Sequence, residues 1–107
     1  MINEFEVKKY CQRYGFKYKY INENSVLVQS KYDSWRIDCD GKSSLKPLQL
    51  YHQNTRHNTR GEHKQRRFGD IPFLIRSIKQ HDDHTYYMLF KKRSRLDRLF
   101  ERIGTST

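Results

Sequence analysis

Glycine, proline and cysteine are all scarce: the 107 residues include five, two and two of them. The glycines are scattered, so no Gly-rich phosphate loop, nucleophile elbow or dinucleotide fingerprint can be assembled from them. Cys11 and Cys39 are too few for a disulfide scaffold and too far apart for a metal knuckle. Each sits in an apolar-containing segment and reads as a small core thiol. No apolar run approaches the roughly 20 residues that span a bilayer, so integral membrane association is not expected. The opening MINEFEVKKY carries charges throughout and no apolar h-region, so no secretory leader is expected and the cytoplasm is the default location. Acidic residues are also short, with 12 Asp and Glu against 22 Lys and Arg and a formal net charge of +10.

Aromatic residues compensate for the low apolar content of 35 %. Eight tyrosines, six phenylalanines and Trp35 bury large areas per residue, which puts a compact core within reach. The length suits one domain, read as residues 1–104, with 105–107 as a frayed end. Residues 1–50 hold nine basic and six acidic side chains, and residues 51–107 hold thirteen and six. Clustered cations gain affinity for polyanions by releasing condensed counterions.

The apolar periodicity predicts an α+β fold. Residues 2–14 place Ile2, Phe5, Tyr10, Cys11 and Tyr14 broadly on one helical face, with Gly15 as the stop. From Phe16 the period becomes two: Phe16, Tyr18 and Tyr20 alternate with Lys17 and Lys19, which assigns the aromatics to the core and the lysines to water. Val26–Val28 reads as the returning strand, and Trp35, Ile37 and Cys39 as a third. Asp40-Gly41 is a hairpin turn signal. A fourth strand runs through Leu45 to Tyr51, at an edge or beginning after Pro47, which lacks a donor. Residues 16–51 are thus a three- or four-stranded antiparallel meander packed by the N-terminal helix.

Residues 52–69 contain one apolar side chain, Phe68, beside three histidines and five Lys or Arg. They include the near repeat N-T-R-H-N-T-R and read as a long, mobile basic loop. A helix follows, capped by Asp70, with Pro72 in its first turn and a stripe of Ile71, Leu74, Ile75 and Ile78. The β-branched and aromatic run 85–90 favours an additional strand before a helix over 94–103; one long helix to Ile103 is the alternative.

Charge and this loop together point to non-enzymatic binding of nucleic acid, mainly through the phosphate backbone. The expected contacts are Arg56, Arg60, Lys64, Arg66 and Arg67 in the loop, led by Arg60, Arg66 and Arg67. Lys91, Lys92, Arg95 and Arg98 form a second cationic patch near the C-terminus. Single-stranded nucleic acid or RNA is preferred, because no helix-turn-helix, zinc-finger or basic-zipper pattern occurs. The alternative is a protein-interaction module or homodimer, docking through the edge near Pro47 or the run 85–90. His81, Asp82, Asp83 and His84 make the densest ligand-like group, which a loop histidine could complete as a transition-metal shell. The close Cys/His framework of a structural zinc site is missing and the same residues suit a polar turn, so no metal or cofactor is assigned. A metal-dependent nuclease is the enzyme alternative, but no spacing singles out a catalytic set.

Overall fold

The computed structural model describes residues 1–53 and 62–91, with Lys91 as backbone only. Helix α1 spans Glu4–Tyr14. The Asn3 side chain accepts a hydrogen bond from the Glu6 amide at 3.2 Å, and Glu4 and Glu6 complement the positive end of the helix. Gly15, at φ +73°, turns the chain left-handed, and the Phe16 amide reaches back to the Cys11 carbonyl at 2.8 Å. That backbone closure ends the helix where the sequence places its stop. Val7 and Cys11, one turn apart, are its buried residues. Phe5, expected on the core stripe, is 75 % exposed; it lies two residues before Val7, about 200° round the helix.

The chain then forms a five-stranded antiparallel sheet in the order of the sequence. The strands are β1 Lys17–Asn22, β2 Ser25–Gln29, β3 Ser34–Cys39, β4 Leu48–Gln53 and β5 Glu62–Phe68. One face carries Val26, Val28, Trp35, Ile37, Leu48, Leu50 and Phe68 into the core. Tyr18 and Tyr20 pack against that core from the same side, as the alternation requires, and the Tyr20 hydroxyl donates to the Ile2 carbonyl at 2.9 Å.

Two further expectations are corrected. The meander has a fifth strand, because Glu62–Phe68 pairs with β4 through its backbone instead of lying in a loop over 52–69. Six of its seven residues are polar and four of those are exposed, so side-chain pattern could not announce it; an edge strand built this way resists pairing with other chains. His52 and Gln53 likewise belong to β4, while residues 54–61 of that expected loop lie outside the described residues. Asp40-Gly41 turns the chain between β3 and β4, with Gly41 at φ +68°, and β4 starts at Leu48, directly after Pro47, the later of the two expected starts.

The other correction concerns the second helix. Asp70 caps α2, accepting from the Phe73 amide at 2.9 Å, and the helix runs Ile71–Tyr86. It continues as a π-helical turn over Tyr87–Lys91, where a strand over 85–90 was expected. Those aromatic and apolar side chains do not enter the sheet: Tyr86 to Phe90 are each about half exposed. Ile71, Leu74, Ile75 and Ile78 make the expected stripe, and Asp82 extends it as a buried carboxylate. Both helices pack on the apolar side of the sheet, against one continuous core. The proposed helix 94–103 and the end 105–107 lie outside the described residues. Among the described residues, no helix is long and apolar enough to cross a membrane.

Candidate nucleic-acid face and a histidine–aspartate cluster

Paired residues of antiparallel neighbours share a face of the sheet, so strand register fixes what the side opposite the helices presents. Lys19 pairs with Leu27, Leu27 with Arg36, Arg36 with Tyr51 and Tyr51 with Lys64. One row of side chains therefore crosses all five strands, with a lysine at each end and an arginine–tyrosine pair near the middle. Four inter-strand steps of about 4.8 Å put Lys19 and Lys64 about 19 Å apart along the sheet. The Arg36 guanidinium lies over the Tyr51 ring at 4.3 Å from its centroid. It is held flat there by Asp38 at 3.2 Å and Glu62 at 3.0 Å. The adjoining row runs from Lys17 to Gln29, Ser34, Gln53 and Glu62. Between the rows is a cleft of about 260 Å³ bordered by Lys17, Lys19, Leu27, Gln29, Ser34 and Gln53.

The expected contact residues are distributed unevenly. Lys64 lies on this open face by register. Arg67 belongs to the same face but is occupied: its guanidinium makes a bidentate pair with Asp40. It also donates to the Lys46 carbonyl at 3.0 Å and to Gln49 at 3.2 Å. These bonds fasten the β3–β4 connection to β5 and hold the Asp40 carboxyl well below the usual carboxylate range. Arg66 is on the helix side, over the rings of Phe68 and Phe73 at 5.3 and 5.2 Å. Arg56, Arg60, Lys92, Arg95, Arg98 and the side chain of Lys91 lie outside the described residues. Lys19, Arg36 and Tyr51 were not singled out from sequence as contacts; their common row depends on strand register, which no local pattern states.

A second constellation lies on the helix side of the sheet. His52 from β4, His81 from α2 and Asp33 from the β2–β3 turn bring their ligand atoms within 4.8 Å of one another. His52 Nε2 is 3.2 Å from Asp33 Oδ1, and His81 Nδ1 is 3.5 Å from Asp33 Oδ2. Trp35 stacks on His52 with centroids 4.4 Å apart and meets His81 edge-on at 5.0 Å. Burial pushes the His81 pKa down, and the Asp33 charge offsets part of that effect. The turn bearing Asp33 is tied to α2: buried Asp82 accepts from the Ser30 hydroxyl and from the Lys31 amide, each at 2.8 Å. The Trp35 indole N–H donates to the Ser30 hydroxyl at 3.0 Å.

The His81–His84 group is thus divided by the helix. Asp82 secures the turn, Asp83 pairs with Lys79, and only His81 joins the cluster. The loop histidine imagined as its partner is His52, in β4. Asp33 was missed because 19 and 48 residues separate it from the two histidines, and only the fold closes those distances. Comparison of the chain with protein-family models, with curated proteins and with solved structures finds no match.

Proposed function

We propose that this protein binds single-stranded nucleic acid across the open face of its sheet, acting in the cytoplasm and without catalysing a reaction on it. The observation that carries this reading is the row Lys19–Leu27–Arg36–Tyr51–Lys64 across five strands. A sheet surface with a stacking group between cations suits an unpaired strand: bases have π-faces to lay on Tyr51 or the Arg36 plane, and phosphates meet the lysines. Duplex DNA shows its bases only at groove edges and would leave the stacking pair unused. The net charge of +10 favours approach to any polyanion. Both described thiols are free, which suits a reducing compartment.

Fluorescence anisotropy with labelled single-stranded RNA, single-stranded DNA and duplex DNA, across a salt series, tests the reading. Both single strands should bind more tightly than the duplex. The double substitution Lys19→Ala/Lys64→Ala should reduce the slope of log K against log salt by about 1.4, for two lost phosphate contacts. Tyr51→Leu should weaken binding by about 1–3 kcal/mol, and Tyr51→Phe should leave it nearly unchanged. An unaltered salt slope in the double variant removes this face from the phosphate-contacting surface.

A second reading, a protein-docking module, is favoured by the half-exposed apolar residues Tyr86 to Phe90, since contiguous exposed apolar side chains mark interaction sites. Light scattering across a concentration series would reveal self-association through them, which Leu89→Ser should abolish.

A further inference from the structure

We propose that Asp33, His52 and His81 bind one divalent zinc ion, with a coordination position left for water. The cluster lies on the helix side of the sheet, whereas Tyr51, the neighbour of His52, faces the open side. The proposal therefore stands independently of nucleic-acid binding.

The ring nitrogens carry the argument. His52 Nε2 and His81 Nδ1 are both shut off from solvent, and neither makes a hydrogen bond. Each nevertheless faces an oxygen of the same carboxylate, at 3.2 and 3.5 Å. These are ion-pair distances without hydrogen-bond angles. A protonated ring nitrogen would turn its N–H onto the carboxylate; an unprotonated one directs a lone pair at a group rich in lone pairs. Either arrangement leaves buried polar atoms unsatisfied at a cost. A cation held beside the carboxylate satisfies both nitrogens at once.

The donor chemistry selects among cations, and the spacing admits zinc. Zinc bonds to nitrogen and oxygen of about 2.0–2.1 Å give a tetrahedral ligand–ligand edge of about 3.3 Å. Here the two nitrogens lie 3.2 and 3.5 Å from different oxygens of Asp33, and one ligand atom from each residue falls within 4.8 Å of the others, a span that small side-chain rotations close to that edge. Two imidazoles and a carboxylate are a donor set suited to zinc, and three protein ligands with a fourth position for water are the pattern of open zinc sites. The surrounding contacts hold the donors in place. Trp35 packs against both rings. Ser30 donates to Asp82 on α2, and its amide donates to the Asp33 carbonyl at 2.9 Å, so the turn carrying the carboxylate is fixed relative to His81. Such outer contacts orient metal ligands and raise affinity. His81 is the most exposed of the three, its side chain 41 % accessible, and supplies the side from which water and ion enter.

The test uses the full chain, stripped with a chelator and titrated with Zn2+ by calorimetry, with bound metal counted after dialysis. One Zn2+ per chain is expected. His81→Ala, at the exposed edge of the site, should weaken binding by about tenfold or more, as should Asp33→Asn, while His84→Ala should leave it within about twofold. Because buried Asp33 and His52 also support the fold, the decisive readout is on the unaltered protein. Zn2+ should shift the 15N resonances of His52 Nε2 and His81 Nδ1, and Co2+ in the same site should show the intense visible bands of a tetrahedral ion. Failure to retain stoichiometric Zn2+, ring shifts confined to His63 or His84, or undiminished affinity in His81→Ala would each overturn the proposal.

Discussion

Replacing Asp82 with alanine should loosen the β2–β3 turn from α2 and lower the stability of the whole domain. The carboxylate is 3 % exposed and takes hydrogen bonds from the Ser30 hydroxyl and the Lys31 amide, both at 2.8 Å. Ser30 has one hydroxyl proton and two acceptors in reach, Asp82 at 2.8 Å and the Asp33 carbonyl at 3.2 Å. The nearer, charged acceptor takes it, and the Ser30 oxygen remains free to accept from the Trp35 indole. Alanine removes two bonds to a carboxylate, each about 1.5–3 kcal/mol, and leaves the Lys31 amide without this acceptor. The variant also ceases to bury a carboxylate, which returns part of the loss, so the net cost is about 2–4 kcal/mol. With unfolding entropy near 2.1 cal/mol/K per residue, each kcal/mol in a chain of 107 residues moves the midpoint by about 4 °C, giving a fall of about 9–18 °C. Calorimetric melts at pH 7 measure it. A cycle with Ser30→Ala should show a coupling of about 1–2 kcal/mol. A loss below about 0.5 kcal/mol, or strict additivity with Ser30→Ala, would refute the claim that this hydrogen-bonded chain joins the turn to the helix.

The remaining expectations are simpler. Asp40→Asn should destabilise the protein at neutral pH by breaking the bidentate pair with Arg67. Because the folded carboxyl is held below its ordinary range, this stabilisation is present above the unfolded pKa of about 4 and disappears as pH falls through the lower folded value. Denaturation curves of variant and parent should therefore converge in acid; a gap of constant size from pH 7 to pH 2 would contradict the assignment. Burial pushes the Cys11 thiol up to about 11, so in the folded protein an alkylating reagent should modify Cys39 first and reach Cys11 only on unfolding, as peptide mass mapping would show. Gly15→Ala forces φ +73° on an alanine with no steric clash around the added carbon, and should cost about 1 kcal/mol by chemical denaturation, while Gly15→Asn should cost less.

Much of the fold was legible because its signals are local. Gly15 stops α1, Asp70 and Pro72 open α2, and Trp35 and Ile37 alternate with polar neighbours as a half-buried strand must. β5 was illegible for an equally physical reason: an edge strand held by its backbone has no need of apolar alternation. The run 85–90 misled because aromatic and β-branched residues favour a strand only where a sheet is there to receive them, and here α2 carries them onward into solvent. Lys64 was recognised by its charge alone. The row it completes needs the register of four strand pairs, and the Asp33–His52–His81 cluster needs the packing of α2 on the sheet.

Trp35 is the only tryptophan in the chain, and its ring lies against the imidazoles of both His52 and His81. Indole emission is quenched by a neighbouring imidazolium and altered by a nearby ion, so the molecule carries its own optical probe at the place where helix, turn and sheet meet. Unfolding, histidine protonation and occupation of the cluster can all be followed in one fluorescence channel, without a label and without altering a residue.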